Sequence, residues 1–396
     1  MDKFIILNKL NTKELYLAIK NLIKNKKRIK EIQKNSLKNF YLDNKFISAK
    51  IDLYRSNFRV KNIKKKGKLK ILHITNFNER HNGRLFYNTG RRINNGIFKL
   101  GHTIQTLSDR DVVSRERKMF DISGSKSLNN KLIEITGNYM PDLIILGHAD
   151  QILKETLIKI KKFYPSIKFC QWFLDKMDDK KWKVNRQRFE KIISHMDASF
   201  CTTHPSSIKS LKGKNVKYIP NPVDKNFENL KIYENKSYKY DLFFALSHGV
   251  HRGTLKKGKV DLRETFLNKL IAMTKEIRFN LYGINDKQPV WAENFKNELN
   301  KSKMALNLSQ GDPLKFYSSD RIAQLVGNGI LTFEHKGYQY QDFFNHNEMI
   351  FFDNAGDLNS KILFYKKNNN LKKKIARNGY KKAHKIFNNK IIAEFM

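Results

Sequence analysis

Cysteine is nearly absent from this 396-residue chain, which has two, Cys170 and Cys201. Each sits in an apolar run beside a phenylalanine, Phe169 and Phe200. That setting suits buried thiols rather than a disulfide or a metal pair, and it fits a reducing compartment. No Cys or His spacing of the metal-ligand kind occurs. Acidic residues are few: 37 Asp and Glu against 78 Lys and Arg, a formal net charge of +41. No run approaches the ~20 apolar residues of a membrane span. At the N-terminus Phe4 to Leu7 is a short apolar run with no small-residue cleavage site after it, so no signal peptide is expected. A soluble cytoplasmic protein is the default reading. The Walker and GxGxxG nucleotide fingerprints and the GxSxG nucleophile elbow are also missing.

What the chain does hold is enough apolar material for two cores. Its 40% hydrophobic and 12% aromatic content is that of a globular protein, and its length allows two domains. The positive charge favours anionic partners: nucleic acid, acidic membrane surfaces or phosphorylated substrates. Part of that excess belongs to a composition rich in Lys, Asn and Ile together, which fills surface positions.

Residues 1–67 read as a basic helical extension. Leu15, Ile19, Leu22 and Ile29 recur at helical spacing, with Lys20, Lys24, Lys26, Lys27, Arg28 and Lys30 on the other faces. A second helix is expected around Leu42–Tyr54, and Lys64 to Lys68 reads as a linker. The extension suits either a helical hairpin packed on the body, the preferred reading, or docking to an anionic membrane surface. From Lys68 the pattern changes to strands alternating with helix-length segments. Apolar runs at Ile71–Thr75, Leu143–Leu146, Phe169–Leu174 and Ala198–Thr202 predict a parallel sheet covered on both faces. Ile219-Pro220-Asn221-Pro222-Val223-Asp224 is the clearest boundary, because two prolines fix φ twice and block strand pairing. The alternation restarts at Asp241–Ala245 and continues through a helix at Leu262–Thr274 and strands at Phe279–Tyr282, Met304–Leu308 and Met349–Phe352. The expected organisation is an α/β chain of two Rossmann-like domains facing across a cleft. The N-terminal one spans 68–219 and the C-terminal one 220–372, with a helix over 373–396 packing back across both.

In such folds ligands bind at the carboxyl ends of strands. The polar residues that follow strands are therefore the candidates: Asn78, His81 and Arg84; Asp109; His148 and Asp150; Asp175; Ser247 and His248; Gly283; Asn307; and Ser318 to Gln324. Ser318, Ser319 and Asp320 can cap a short helix, on which Arg321 and Gln324 share one face. A cation and an amide at a helix start suit a nucleotide. His81 and Asp175 are the two candidate general bases.

Several stretches carry a resemblance. They are Ile71–Thr75 with Asn78–Arg84, Gly101-His102, Ser108–Asp111, Leu146–Asp150, Gln171–Asp175, Tyr218–Asp224, Leu306–Ser309, Tyr317–Gly329 and Ile375–Tyr380 with His384 and Phe387. In this order the chain, over about residues 68–390, resembles bacterial two-Rossmann-domain (GT-B) glycosyltransferases of the CgeB-like group. The resemblance implies a nucleotide-sugar donor held by the C-terminal domain, through Ser318, Ser319, Asp320, Arg321, Gln324, Asn307 and Gly283. It implies a glycan or glycolipid acceptor held by the N-terminal domain, through Asn78, Arg84, Asp109, His148 and Asp150. Gln324 stands where the wider superfamily has a ribose-binding Glu, and an amide also serves two hydroxyls. Phe316 stands where a related two-glutamate motif has its first Glu, which leaves the stereochemical outcome open. No metal or other cofactor is implied. The expected setting is the cytoplasm, with peripheral contact at the anionic inner face of the membrane and no specific nucleic acid. A rival reading is a non-catalytic protein of the same fold that binds polyanionic glycan or nucleic acid; another is a nucleotide-sugar epimerase.

Overall fold

The computed structural model describes residues 12–31, 67–117, 119, 121–247, 250–251, 254–255 and 262–396. Helix α1 (Thr12–Lys24) belongs to the N-terminal unit, and its Tyr16, Leu17, Ile19 and Ile23 are exposed. The second helix expected near Leu42–Tyr54 and the lysines at 64–66 lie outside the described residues, as does His248.

Both parallel sheets belong to a second unit, residues 65–161 and 166–396. Its first part runs β1 (Lys70–Thr75), α2 (Thr89–Lys99), β2 (Thr103–Leu107), α3 (Asp109–Arg115), α4 (Ser125–Tyr139), β3 (Leu143–Gly147), α5 (Lys154–Phe163), β4 (Lys168–Phe173), α6 (Lys183–Glu190), β5 (Ala198–Cys201) and β6 (Val216–Tyr218). The strands pair in parallel in the order β2-β1-β3-β4-β5-β6. Ile71, Leu72, Ile74, Ile144, Ile145 and Leu146 are buried, as strands covered on both faces require. Cys170 and Cys201 are buried free thiols within these strands. Strand β6 is an element the apolar runs did not predict: the chain pairs with β5 through Tyr218 before the prolines end the sheet.

The second part runs β7 (Tyr240–Ala245), a short antiparallel pair β8 (Val250–His251) and β9 (Thr254–Leu255), α7 (Leu262–Met273), β10 (Phe279–Tyr282), α8 (Ala292–Asn300), β11 (Ser302–Asn307), α9 (Arg321–Gly327), β12 (Leu331–His335), β13 (Ile350–Phe352), α10 (Ala355–Lys367), α11 (Asn369–Ile386) and α12 (Asn389–Phe395). Its parallel order is β10-β7-β11-β12-β13. The strand order reverses between β1 and β3 in one sheet and between β7 and β11 in the other. At such points the loops leaving the strand ends diverge and open a crevice.

Two features join the sheets. Arg92, Asn95 and Lys99 lie along one face of α2 and meet Asp224 and Glu228 just past the prolines. Arg92 Nη2 is 2.6 Å from Glu228 Oε1, Asn95 donates to Asp224 Oδ2 at 2.7 Å, and Lys99 Nζ lies 2.6 Å from Asp224 Oδ1. The second feature is α12. Although it follows the second sheet in sequence, Ile392 packs in the core of the first sheet with Ile71, Ile93 and Ile97. Asn389 donates through Nδ2 to the Arg92 carbonyl and through its N–H to the Val223 carbonyl. Gly96 is what lets α2 and α12 approach: a Cβ there would overlap the Asn389 carbonyl. Gly96→Ala should therefore cost about 1–3 kcal/mol, read as a lower thermal midpoint. An unchanged midpoint would mean that α12 is loosely seated.

Candidate functional site

The two switch points face one cleft of about 590 Å³. The first sheet contributes Asn78 and Arg84 from the segment after β1, and Asp175 from the end of β4. The second contributes Ala245, Leu246 and Ser247 after β7, Arg263 on α7, Trp291 and Lys296 at α8, Tyr317, and then Ser319, Asp320, Arg321 and Gln324. Asn78, Arg84, Asp175, Ser247, Ser319, Asp320, Arg321 and Gln324, all expected from the sequence, thus line a common space.

Arg321 is the central cation. It is 8% exposed, donates from Nη1 to the Leu308 carbonyl at 3.1 Å, and stacks over Phe244 at 4.8 Å. Burial, then the charge of Arg263, lowers its pKa to about 10, so it stays cationic at neutral pH. Among the described residues no carboxylate forms an ion pair with it. Two mutually repelling guanidiniums at the wall of a cleft make a site for a multiply charged anion. Gln324 lies one turn on, with Nε2 3.3 Å from Asp320 Oδ2. The expected capping differs: Asp320 occupies the N-cap of α9 without a side-chain capping bond. Ser318 instead donates to the Ser319 carbonyl, and Ser319 N–H donates to Ser309 Oγ.

On the opposite wall the Asp175 carboxylate is half-exposed. Its Oδ2 is 3.5 Å from Arg188 Nη1 and 3.7 Å from His148 Nδ1. His148 holds φ +51° and stacks on Phe173 at 4.0 Å. Its Nε2 accepts the N–H groups of Leu174, at 2.6 Å, and Asp175, at 3.3 Å. The imidazole proton must then sit on Nδ1, the nitrogen nearest Asp175. Burial drives this ring's pKa down to about 4, so it stays neutral.

A second set of contacts spans the cleft. Arg84 lies over the Trp291 ring at 5.3 Å, Tyr87 donates to Glu293 Oε2 at 2.8 Å, and Lys296 sits over the Tyr87 ring at 5.2 Å. Sequence reasoning missed Trp291, Lys296, Arg263 and Glu228. The first three follow no strand, and Glu228 had only its four-residue spacing from Asp224 as a signal.

The other expected residues do not line this cleft. Asp109 opens α3 with its carboxylate buried, and burial raises its pKa to about 6; that corrects its placement in an open acceptor wall. His148 and Asp150 line a smaller pocket behind Asp175, where Asp150 pairs with Arg110 and Arg188. Asn307 and Ser318 are buried beneath the turn before α9. Gly283 is a turn residue at φ +76° whose missing Cβ makes room for the Leu246 carbonyl. His81 stands outside the lining, 3.2 Å from Arg84 Nη2, with its pKa lowered by burial and then by Arg80 and Arg84.

Comparison with known proteins adds to this geometry. No curated protein matches the chain in sequence. Among solved structures, HepE of Anabaena in complex with UDP and glucose aligns with a TM-score of 0.52 at 12% identity, over 83% of this chain and 98% of its own. Sucrose-phosphate synthase of Thermosynechococcus elongatus gives 0.55 at 10% identity, over 83% of this chain and 97% of its own. A glycosyltransferase of Rickettsia africae gives 0.53 at 12% identity, again over 83% and 97%. The fold is the two-domain GT-B arrangement that the sequence suggested. Residues 263–396, which carry Arg263, Arg321 and Gln324, match the family model described as glycosyl transferase-like.

Proposed function

We propose that the chain is a glycosyltransferase that moves a sugar from a nucleotide-sugar donor to an acceptor held by the first domain. The observation that carries this reading is buried Arg321, without a carboxylate ion-pair partner among the described residues, beside Arg263 in a cleft where two strand-order reversals meet. In this reading Arg321 and Arg263 take the diphosphate, and Gln324 binds the ribose hydroxyls through its amide. No metal is needed, because the guanidiniums neutralise the leaving diphosphate. Asp175 takes the proton of the attacking hydroxyl, and Asn78 and Arg84 contact the acceptor. His81 orients Arg84. The match over residues 263–396 and the UDP bound in HepE support the donor class.

The finer reading is a CgeB-like hexosyltransferase acting on a cell-envelope glycan or related glycoconjugate, at the inner face of the membrane. The charge of +41 supports an anionic setting. No helix among the described residues is long and apolar enough to cross a membrane.

A ligand that binds the folded state raises the melting temperature. One of UDP-, GDP-, ADP- or CMP-sugar is expected to do so, and Arg321→Ala should weaken that affinity about 10- to 100-fold by calorimetry. Unchanged affinity in the variant would remove the donor site from this position.

A further inference from the structure

We propose that Glu334 is a positioning residue of the donor site, holding through Asn307 the turn that carries Ser319, Asp320 and Arg321 into the cleft. The proposal rests on the donor-site reading above. Asn307 and Glu334 are register partners at the carboxyl ends of β11 and β12, so their side chains leave the sheet on one face. Both are fully buried. Asn307 Nδ2 donates to Glu334 Oε2 at 2.5 Å and to Ser318 Oγ at 2.9 Å. Ser318 Oγ in turn donates to the Ser319 carbonyl at 3.0 Å, and Asn221 fixes the Ser318 carbonyl at 2.9 Å. One continuous chain of bonds therefore runs from Glu334 to the backbone of the cleft wall.

The same pair leaves two acceptors bare. Glu334 Oε1 and Asn307 Oδ1 are buried with no hydrogen-bond partner. A carboxylate would keep both bare, whereas a carboxylic acid turns one into a donor. Burial, opposed by the Asn307 bond, the backbone at His335 and the charge of Arg321, raises the pKa of Glu334 to about 8. The charged and titratable groups facing it are Arg321 from α9, and Tyr338 and Tyr340 after β12; burial raises both phenols out of the working range. Below pH ~8 the neutral acid leaves the charge of Arg321 to the ligand. Above it, a buried carboxylate opposes a bound diphosphate.

The folded pKa is raised from 4.5 to about 8, so the folded chain keeps a proton that the unfolded chain has lost between these values. This contribution is full below pH 4.5 and is lost as pH rises through about 8.

The test uses the full chain and the tightest binder among UDP, GDP and ADP, titrated by calorimetry at pH 7 and pH 9. Wild type should lose about 10-fold in affinity across this step, the factor by which the protonated form is depleted. E334Q, which keeps the shape without the titration, should bind within about threefold of wild type at pH 7 and lose much less at pH 9. Urea unfolding should give E334Q a smaller fall in stability between pH 5 and 8 than wild type. E334A should bind about 10-fold more weakly at pH 7, because the turn loses its anchor. An E334Q that loses affinity at pH 9 as wild type does, or an E334A that binds as wild type does, overturns the proposal. A wild-type chain that binds none of the three nucleotides overturns the donor-site reading itself, and this proposal with it.

Discussion

Arg92→Ala is expected to destabilise the protein by about 3–5 kcal/mol, the cost of leaving a buried charge uncompensated. The Arg92 side chain has no exposure and that of Glu228 only 2%. Nε lies 3.2 Å from each carboxylate oxygen, Nη2 closes the fork at 2.6 Å, and Nη1 donates to the Tyr87 carbonyl at 3.1 Å. Glu228 also accepts the Asp224 N–H at 2.9 Å. Truncating Arg92 strands that carboxylate and releases the segment that bears Tyr87. Glu228→Ala should cost a similar amount. The double variant Arg92→Met, Glu228→Leu should cost less than either single change, because no lone charge remains. Urea unfolding measures all three; a loss below about 1 kcal/mol for Arg92→Ala would mean that water reaches the pair.

Asp175→Asn is expected to lower kcat by about 10²- to 10⁴-fold, the usual worth of a positioned general base. Affinity for the donor nucleotide should stay within about twofold, since Asp175 sits on the wall opposite Arg321. The carboxylate is held from behind by the Arg188 guanidinium, 3.5 Å away, and the neutral His148 ring lies 3.7 Å from it. Single-turnover kinetics with donor and acceptor separates the two quantities. Full turnover in the variant would remove Asp175 from the base role.

Much of the fold was legible because both sheets are parallel and covered. Strands such as β1, β3, β4 and β7 then read as unbroken apolar runs, and helices fall between them. Strand β6 was not legible, being three residues long at a sheet edge beside a proline. The cleft was legible wherever its residues leave a strand end, as Asn78 and Asp175 do, or precede a helix start, as Ser319 does. It was hidden where α7 and α8 supply them: Arg263 and Lys296 become wall residues only once those two helices are packed. Asp109 shows the converse. It leaves a strand end like the others, but the chain turns at once into α3 and carries the side chain inward. Glu334 was hidden by its strand, since a carboxylate inside an apolar run reads as a surface residue until its neighbours are known.

The return of α12 to the first sheet has a consequence for building chimaeras. A hybrid joining the acceptor side of this chain to the donor side of a relative cannot use one crossover in the Pro220–Pro222 segment. The graft would bring a foreign terminal helix against Ile71, Ile93 and Ile97, the cluster that Ile392 now completes. Two breakpoints are needed, one at the prolines and one near Phe387, so that residues 388–396 travel with the sheet they cover. By sequence those residues follow the donor side; by packing they belong to the acceptor side.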